Sequence, residues 1–218
     1  MPFSDWLQQL AQGWFDSHGM ARRRAGRSPS FTRRRVRLRL EQLEDRITPT
    51  GPTLSALASF NGTNGANPEA GLIMDSSGNL YGTTYRGGAS GEGTVFELAQ
   101  GSGTITTMVS FNGTNGANPL ASLVMDSSGN LYGTTDVGGT SDNGTVFEIV
   151  QGSDTITTLA SFNSTDGANP YAGLLMDSNG DLYGTTLNGG ASDDGTVFEV
   201  AKDSNTITIT PACKLRTN

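Results

Sequence analysis

An all-β fold is predicted by this sequence: a β-propeller-like array of three four-stranded blades, an incomplete ring, preceded by a basic N-terminal segment that is partly helical and partly disordered. Three observations carry that expectation. Phe60, Phe111 and Phe162 lie 51 residues apart, and so do Phe96, Phe147 and Phe198. Leu54–Thr104 aligns on Ile105–Thr155 with 35 identities in 51 positions and no gap. Each unit also divides into four short strand-like runs separated by Gly-, Asn- and Asp-rich breakers. A fixed period of this length marks a supersecondary block that buries its apolar face only against a neighbour. The expected domains are a leader over 1–50 and a repeat body over 53–210, with blades at about 71–111, 122–162 and 173–210.

The leader comes first. Ser4 is placed to cap a short helix whose apolar positions Trp6, Leu7, Leu10 and Trp14 follow helical spacing. A basic tract follows, with Arg22–Arg24, Arg27, Arg33–Arg35, Arg37 and Arg39. Residues 1–50 hold 10 of the 14 basic side chains and 5 of the 21 acidic ones, so a leader of charge +5 precedes a body of charge −12. That asymmetry suits a targeting or tethering arm on a soluble body. The acidic body repels phosphate backbones, which argues against nucleic-acid binding by the repeats. A conventional secretory signal needs an apolar stretch after its positive charges. Here the nearest candidate, Leu54–Phe60, contains two serines and matches the repeat. No run of 18 apolar residues exists, so no transmembrane helix is expected.

The segment Arg33–Pro49, RRRVRLRLEQLEDRITP, resembles a short N-terminal motif shared by many planctomycete extracellular proteins. The resemblance implies export to the cell surface or beyond it.

In the middle unit Leu123-Val124-Met125 is a fully apolar run suited to a strand covered on both faces. Asp126-Ser127-Ser128-Gly129 makes a tight turn, because glycine accepts positive φ and the carboxylate accepts from amides two residues on. Asn130–Thr135 is the second strand, and Gly138–Gly144 a longer polar loop. Thr145–Ile149 is the third strand, with Thr145, Phe147 and Ile149 on one face. Gln151–Asp154 is a hairpin turn, and Thr155–Phe162 the fourth strand, with Ile156, Ala160 and Phe162 expected to share a face. Asn163–Pro170 leads to the next unit.

The order apolar strand, Asp-x-x-Gly turn, Leu-Tyr-Gly-Thr strand resembles blades of bacterial sensor-type propellers. More closely, the unit resembles the GloVer tandem repeat, through Leu80–Thr84, Gly87-Gly88 and Gly93–Phe96 and their two later copies over about residues 53–208. That resemblance implies an exported surface protein of several repeats and no defined activity.

Both ends depart from the pattern. Thr53–Phe60 is a lone fourth-strand sequence with no preceding three strands. In the last unit Thr206–Cys213 decays, and Pro211 lacks the donor a ladder needs. Three blades are fewer than the four to eight that usually close a ring. Open apolar ends therefore predict either a homodimer that completes a six-bladed ring or a remnant of a longer array.

The chemistry is sparse. Cys213 is the only cysteine and His18 the only histidine, so no intrachain disulfide and no nucleophilic triad can be assembled. Arg86 occurs once and reads as a loop residue; the recurring Tyr81, Tyr132 and Tyr183 read as packing residues. Asp177-Ser178-Asn179-Gly180-Asp181 spaces oxygen donors as a calcium loop does, but lacks the longer ligand series and its distant Glu. Asp75 and Asp126 are expected instead in Asx turns. No catalytic, metal-binding or cofactor residue is assigned. The sequence is read as a non-enzymatic exported or cell-surface scaffold or interaction module, with an unidentified protein or glycan partner. The alternative is a carbohydrate-binding module using the Asn/Gly/Thr-rich loops, and less favoured readings are a fragment of a longer repeat protein or a polysaccharide-acting enzyme.

Overall fold

The computed structural model describes Pro52, residues 54–202, Ser204 and residues 206–209. The expected N-terminal helix, the basic tract, the export motif, His18, Pro211 and Cys213 lie outside the described residues. The repeats belong to the second of two units, Thr53–Asn218.

Every described element is a strand. The first sheet comprises β1 (Ile73–Met74), β2 (Leu80–Thr84), β3 (Thr94–Leu98) and β4 (Ile105–Ser110). The second comprises β5 (Val124–Met125), β6 (Leu131–Thr135), β7 (Thr145–Ile149) and β8 (Thr157–Ser161). The third comprises β9 (Leu175–Met176), β10 (Leu182–Thr185), β11 (Val197–Val200) and β12 (Ile207–Thr208). Each sheet is four-stranded and runs in sequence order, with every neighbour antiparallel. This is the β-propeller-like array of three blades that the period implies.

The blades stack face to face through two apolar seams. In the first, Val95, Val109 and Phe111 of blade one meet Leu123, Leu131, Phe147 and Ile149 of blade two. In the second, Val146, Ala160 and Phe162 meet Leu174, Leu182, Phe198 and Val200 of blade three. The middle blade is covered on both sides, which is why its first strand is apolar throughout: Met125 packs on the first seam and Val124 on the second. The Phe period has one meaning in space. Phe60, Phe111 and Phe162 each set a ring edge-on against Phe96, Phe147 and Phe198, with centroids 4.9, 5.1 and 4.9 Å apart. The second member of each pair lies over a glycine of the neighbouring strand, since Gly133 pairs directly with Phe147. A Cβ on Gly133 would stand 2.6 Å from the tip of the Phe147 ring and 3.0 Å from Leu123 Cδ2. The Gly of Leu-Tyr-Gly-Thr is therefore the space that the ring occupies.

Two expectations are corrected. Ile156, Ala160 and Phe162 do not share a face. Val146 opposes Ala160 while Phe147 opposes Thr158, so Leu159 is an extra residue in the outer strand. The same bulge lies in blade one, where Val95 opposes Val109 and Phe96 opposes Thr107. An inserted residue reverses the alternation, sending Ile156 to the first seam and Ala160 with Phe162 to the second. The lone fourth-strand sequence is not a strand either. Residues 54–60 carry no ladder among the described residues. Phe60 at its end packs on Phe96, and Ala58 is half-buried.

Equivalent residues differ sharply by position in the stack. Val95 and Val146 are 0% exposed, whereas Val197, at the same repeat position in blade three, is 66% exposed. Leu123 is 3% exposed and its equivalent Leu72 in blade one is 55% exposed. The leading face of blade one and the trailing face of blade three are thus open copies of the two halves of a seam.

Gly133→Ala should lower stability by about 1–3 kcal/mol through overpacking, read as a fall in melting temperature. Gly173→Ala should change little, since the new Cβ meets its nearest atom, the Ser122 carbonyl oxygen, at 3.5 Å. Val146→Ala should cost on the order of 1–3 kcal/mol by lost burial, and Val197→Ala, in the dissociated chain, less than about 0.5 kcal/mol.

Candidate functional site

Cross-strand register divides each blade into two ends. Tyr81 pairs with Glu97 at one end of β2 and β3, and Thr84 with Thr94 at the other. The polar groups of the unit collect at these two rims.

At the first rim the Asp of each turn is consumed by the turn. Asp75 Oδ1 accepts from the Ser77 and Asn79 amides at 2.9 Å each, and its Oδ2 accepts from the Asn79 side chain at 2.9 Å. Asp126 repeats the pattern with Ser128 and Asn130 at 2.8–2.9 Å. Asp177, in the stretch with alternating oxygen donors, accepts from the amides of Asn179 at 2.9 Å and Asp181 at 3.0 Å. Asp181 Oδ1 in turn accepts from the Lys202 amide at 2.8 Å. These oxygens close hairpins. Tyr132 stands between two carboxylates, its hydroxyl 2.8 Å from Glu148 Oε1 and 3.3 Å from Asp126 Oδ2. Desolvation opposes ionisation of Asp126, but hydrogen bonds from Asn130, Ser128 and Tyr132 outweigh it and hold the carboxyl below its ordinary value. Burial and the two flanking carboxylates push Tyr81 up to about 12, and Tyr132 is raised by the same causes. The tyrosines are thus both packed against the seams and hydrogen-bonded at their tips.

The second rim is built by the connectors. Asn61 Oδ1 accepts from the amides of Thr63 and Asn64 and from the Thr63 hydroxyl at 2.8–3.1 Å, while Asn64 Oδ1 accepts from the Asn61 amide at 2.8 Å. The connector then lies against the Gly-Gly loop of its own blade, where a Cβ on Gly138 would meet the Gly113 carbonyl oxygen at 2.6 Å. The asparagine of Ala-Asn-Pro clasps successive blades. Asn118 donates its amide to the Glu92 carbonyl at 2.8 Å and its side chain to the Tyr85 carbonyl at 2.9 Å, both in blade one. Its own carbonyl accepts from the Asp136 amide of blade two at 3.2 Å. Asn67, Asn118 and Asn169 hold φ near 55° (54, 55 and 56), a conformation asparagine tolerates better than most residues. This clasp was missed in the sequence, where the repeated Ala-Asn-Pro read only as a connector. Spacing was its one available signal.

One place on this rim departs from the repeat. Tyr85, Asp136 and Leu187 occupy one repeat position, and Glu69, Leu120 and Tyr171 another. Asp136 is buried, and Asn169 donates to its carboxylate at 2.9 Å and to its carbonyl at 3.2 Å. Burial pushes the Asp136 carboxyl up, the Asn169 bond opposes this, and nearby Asp142 adds to the rise. Half-exposed Tyr171 is raised chiefly by the charge of Asp136, then by burial and by Tyr85. Arg86, exposed, sets its guanidinium carbon 5.3 Å from the Tyr85 ring centre. The Asp136 carboxylate is thus buried and held by Asn169, while the half-exposed Tyr171 ring offers a surface for stacking. Among the described residues no group of three or more His, Cys, Asp or Glu is arranged to hold a metal ion.

The two kinds of aspartate respond oppositely to pH. A lowered pKa contributes stability that is present above the unfolded value of 3.8 and lost as pH falls through the folded one. Asp126→Asn should therefore lower the melting temperature at neutral pH, with the difference shrinking in acid. A raised pKa costs stability from the unfolded value of 3.8 upward, and the whole cost is present once pH exceeds the folded value. Asp136→Asn, whose amide oxygen can still accept from Asn169, should raise the melting temperature at neutral pH and lose that advantage near about pH 3.

Comparisons with known proteins give two kinds of match. A chain in the crystal structure of a nidogen/laminin complex is 19% identical, with 65% of this chain and 47% of that one covered at a TM-score of 0.47. TolB from Acinetobacter baumannii is 13% identical over 70% of this chain and 33% of its own, at 0.45. A gluconolactonase from Xanthomonas campestris is 19% identical over 62% and 44%, at 0.41. The chain spans about half or less of each of these structures. A search of curated proteins returns no match. The Gloeobacter/Verrucomicrobia repeat matches residues 46–215. With its three units, this chain belongs to the Gloeobacter/Verrucomicrobia repeat family.

Proposed function

We propose that the chain is a non-enzymatic repeat module, exported or held at the cell surface, that works as a scaffold by joining its end blades to other blades of the same kind. The single observation that carries this reading is the contrast between sealed and open copies of one position, Val146 against Val197 and Leu123 against Leu72. An apolar face that is a seam inside the array becomes an association surface at its end. Export is supported by the resemblance of Arg33–Pro49 to an extracellular N-terminal motif. Polar groups at both rims are spent on turns and clasps, which favours a structural role over catalysis.

A second reading rests on Asp136 and Tyr171. Their pairing suits a sugar hydroxyl and a sugar ring face, so a carbohydrate ligand would bind there and not on the Asn-Gly-Thr connectors, whose side chains bond one another.

Sedimentation of the full chain should show an assembly larger than the monomer. Val197→Asp should dissociate it while leaving the melting temperature of the dissociated chain within a few degrees. An assembly indifferent to that charge would count against the end faces. Glycan-array binding abolished by Tyr171→Ala would establish the second reading instead.

A further inference from the structure

We infer that residues 56–60 complete the outer strand of the third blade, beyond its own Ile207–Thr208, in a second copy of this chain. The inference rests on the end faces being association surfaces, and it names the element that joins them.

The segment carries the sequence of an outer strand. Leu57-Ala58-Ser59-Phe60 repeats Leu159-Ala160-Ser161-Phe162, the end of β8 and the residue after it. In its own chain it has no strand to join. None of the backbone groups of residues 54–60 bonds another backbone group among the described residues. Leu54 is fully exposed and Leu57 exposed, whereas their equivalents Ile105 and Ile156, and Met108 and Leu159, are buried or half-buried in their blades. An apolar segment whose amides and carbonyls meet no other backbone group among the described residues is prepared to add to a sheet edge.

The third blade presents such an edge. In blade two the outer strand pairs with β7 at Thr145, Val146, Phe147 and Glu148. In blade three the described ladder covers only Glu199 and Val200, against Thr208 and Ile207. The repeat position of Ala160, which pairs with Val146, is held in blade three by Pro211, which has no donor. Transferring the blade-two register sets a partner's Ala58 opposite Val197 and its Ser59 opposite Thr196.

Phe60 fixes where that strand must come from. It already sits against Phe96 at 4.9 Å, as Phe111 and Phe162 sit against the blade that follows theirs. A strand ending at Phe60 therefore belongs to a blade preceding blade one. When the third blade of another copy takes that place, its trailing face, with Leu175 and Val197, meets the leading face, with Leu72 and Met74, as the seams inside the array do. The contact is heterologous, and two copies that each give and receive the strand close a ring of six blades.

The test uses the full chain with Cys213→Ser as background. One preparation carries Ala58→Cys and the other Val197→Cys; they are mixed, oxidised and resolved without reductant. A covalent heterodimer that forms only in the mixture is expected, since the two positions face each other across strands. In parallel, Ala58→Pro should weaken self-association on the order of tenfold or more while leaving the melting temperature of the dissociated chain unchanged, because residue 58 makes no ladder there. Assembly without the cross-link, or unaffected by Ala58→Pro, overturns the strand exchange and leaves the end-face reading standing. A chain that sediments as a monomer at all concentrations overturns both.

Discussion

The array depends on one aromatic contact. A phenylalanine that follows the outer strand of one blade sets its edge on a phenylalanine in the third strand of the next, at 5.1 and 4.9 Å, and Phe60 makes the same contact with Phe96 at 4.9 Å. Edge-on pairs of this kind add roughly 0.5–1.5 kcal/mol beyond the area they bury. The contact fixes more than energy. It requires a glycine beneath the second ring, as at Gly133, and it requires the chain to leave the outer strand on the side facing the next blade. The bulge at Leu159 meets the second requirement, because an unbulged strand would aim Phe162 back at the seam behind it. Ring, glycine and bulge are one device.

Much of this was legible in the sequence. The third strand of the middle blade was placed to the residue, since Thr145–Ile149 is bounded by a glycine and a turn. The apolar first strand read correctly as covered on both faces, and the Asp turns as local carboxylate-to-amide closures. The bulge was not legible. Thr-Ile-Thr-Thr-Leu-Ala-Ser-Phe alternates equally well with or without an inserted residue, and only the pairing with Val146 and Phe147 decides. The asparagine clasp was hidden for a related reason, because its partners Tyr85 and Glu92 are carbonyls of another blade and carry no side-chain signature. Asp136 was passed over because a single departure from a repeat looks like drift until burial gives it a neighbour in Asn169.

Identity among the units also separates structure from specialisation. The Leu-Tyr-Gly-Thr-Thr and Gly-Thr-Val-Phe runs recur because each copy meets the same strand neighbours and the same seam. Thr84 and Thr94 illustrate this. The Thr84 hydroxyl donates to the Arg86 carbonyl at 2.8 Å and accepts from the Thr94 amide at 3.1 Å, so the proton between the two hydroxyls, 2.9 Å apart, comes from Thr94. Such a buried, satisfied pair tolerates no variation. Where the copies diverge, at Tyr85, Asp136 and Leu187, the side chains face the rim and meet no repeated partner. A ligand that recognised the common features would bind several times along the array, whereas one that recognised Asp136 with Tyr171 would bind once, at the seam between the second and third blades.

Repetition has a further consequence at the ends. A solenoid or propeller unit whose outer face is to stay in water needs polar substitutions there, and these must differ from the residues that seal the interior. Blade three has not diverged in that way: Val197 retains the valine of Val95 and Val146, and Leu175 occupies the position of Ile73 and Val124. Leu72 likewise retains the leucine of Leu123 and Leu174. Burying one such side chain is worth roughly 1.5–3 kcal/mol, so several meeting at once outweigh the cost of bringing two surfaces together only if the fit is as good as inside the array. The fit is supplied by the repeat itself, since the trailing face of the last blade and the leading face of the first are halves of a seam that the chain already forms twice. In the proposed assembly, cohesive ends would follow from copying an interface without altering the copies in blades one and three.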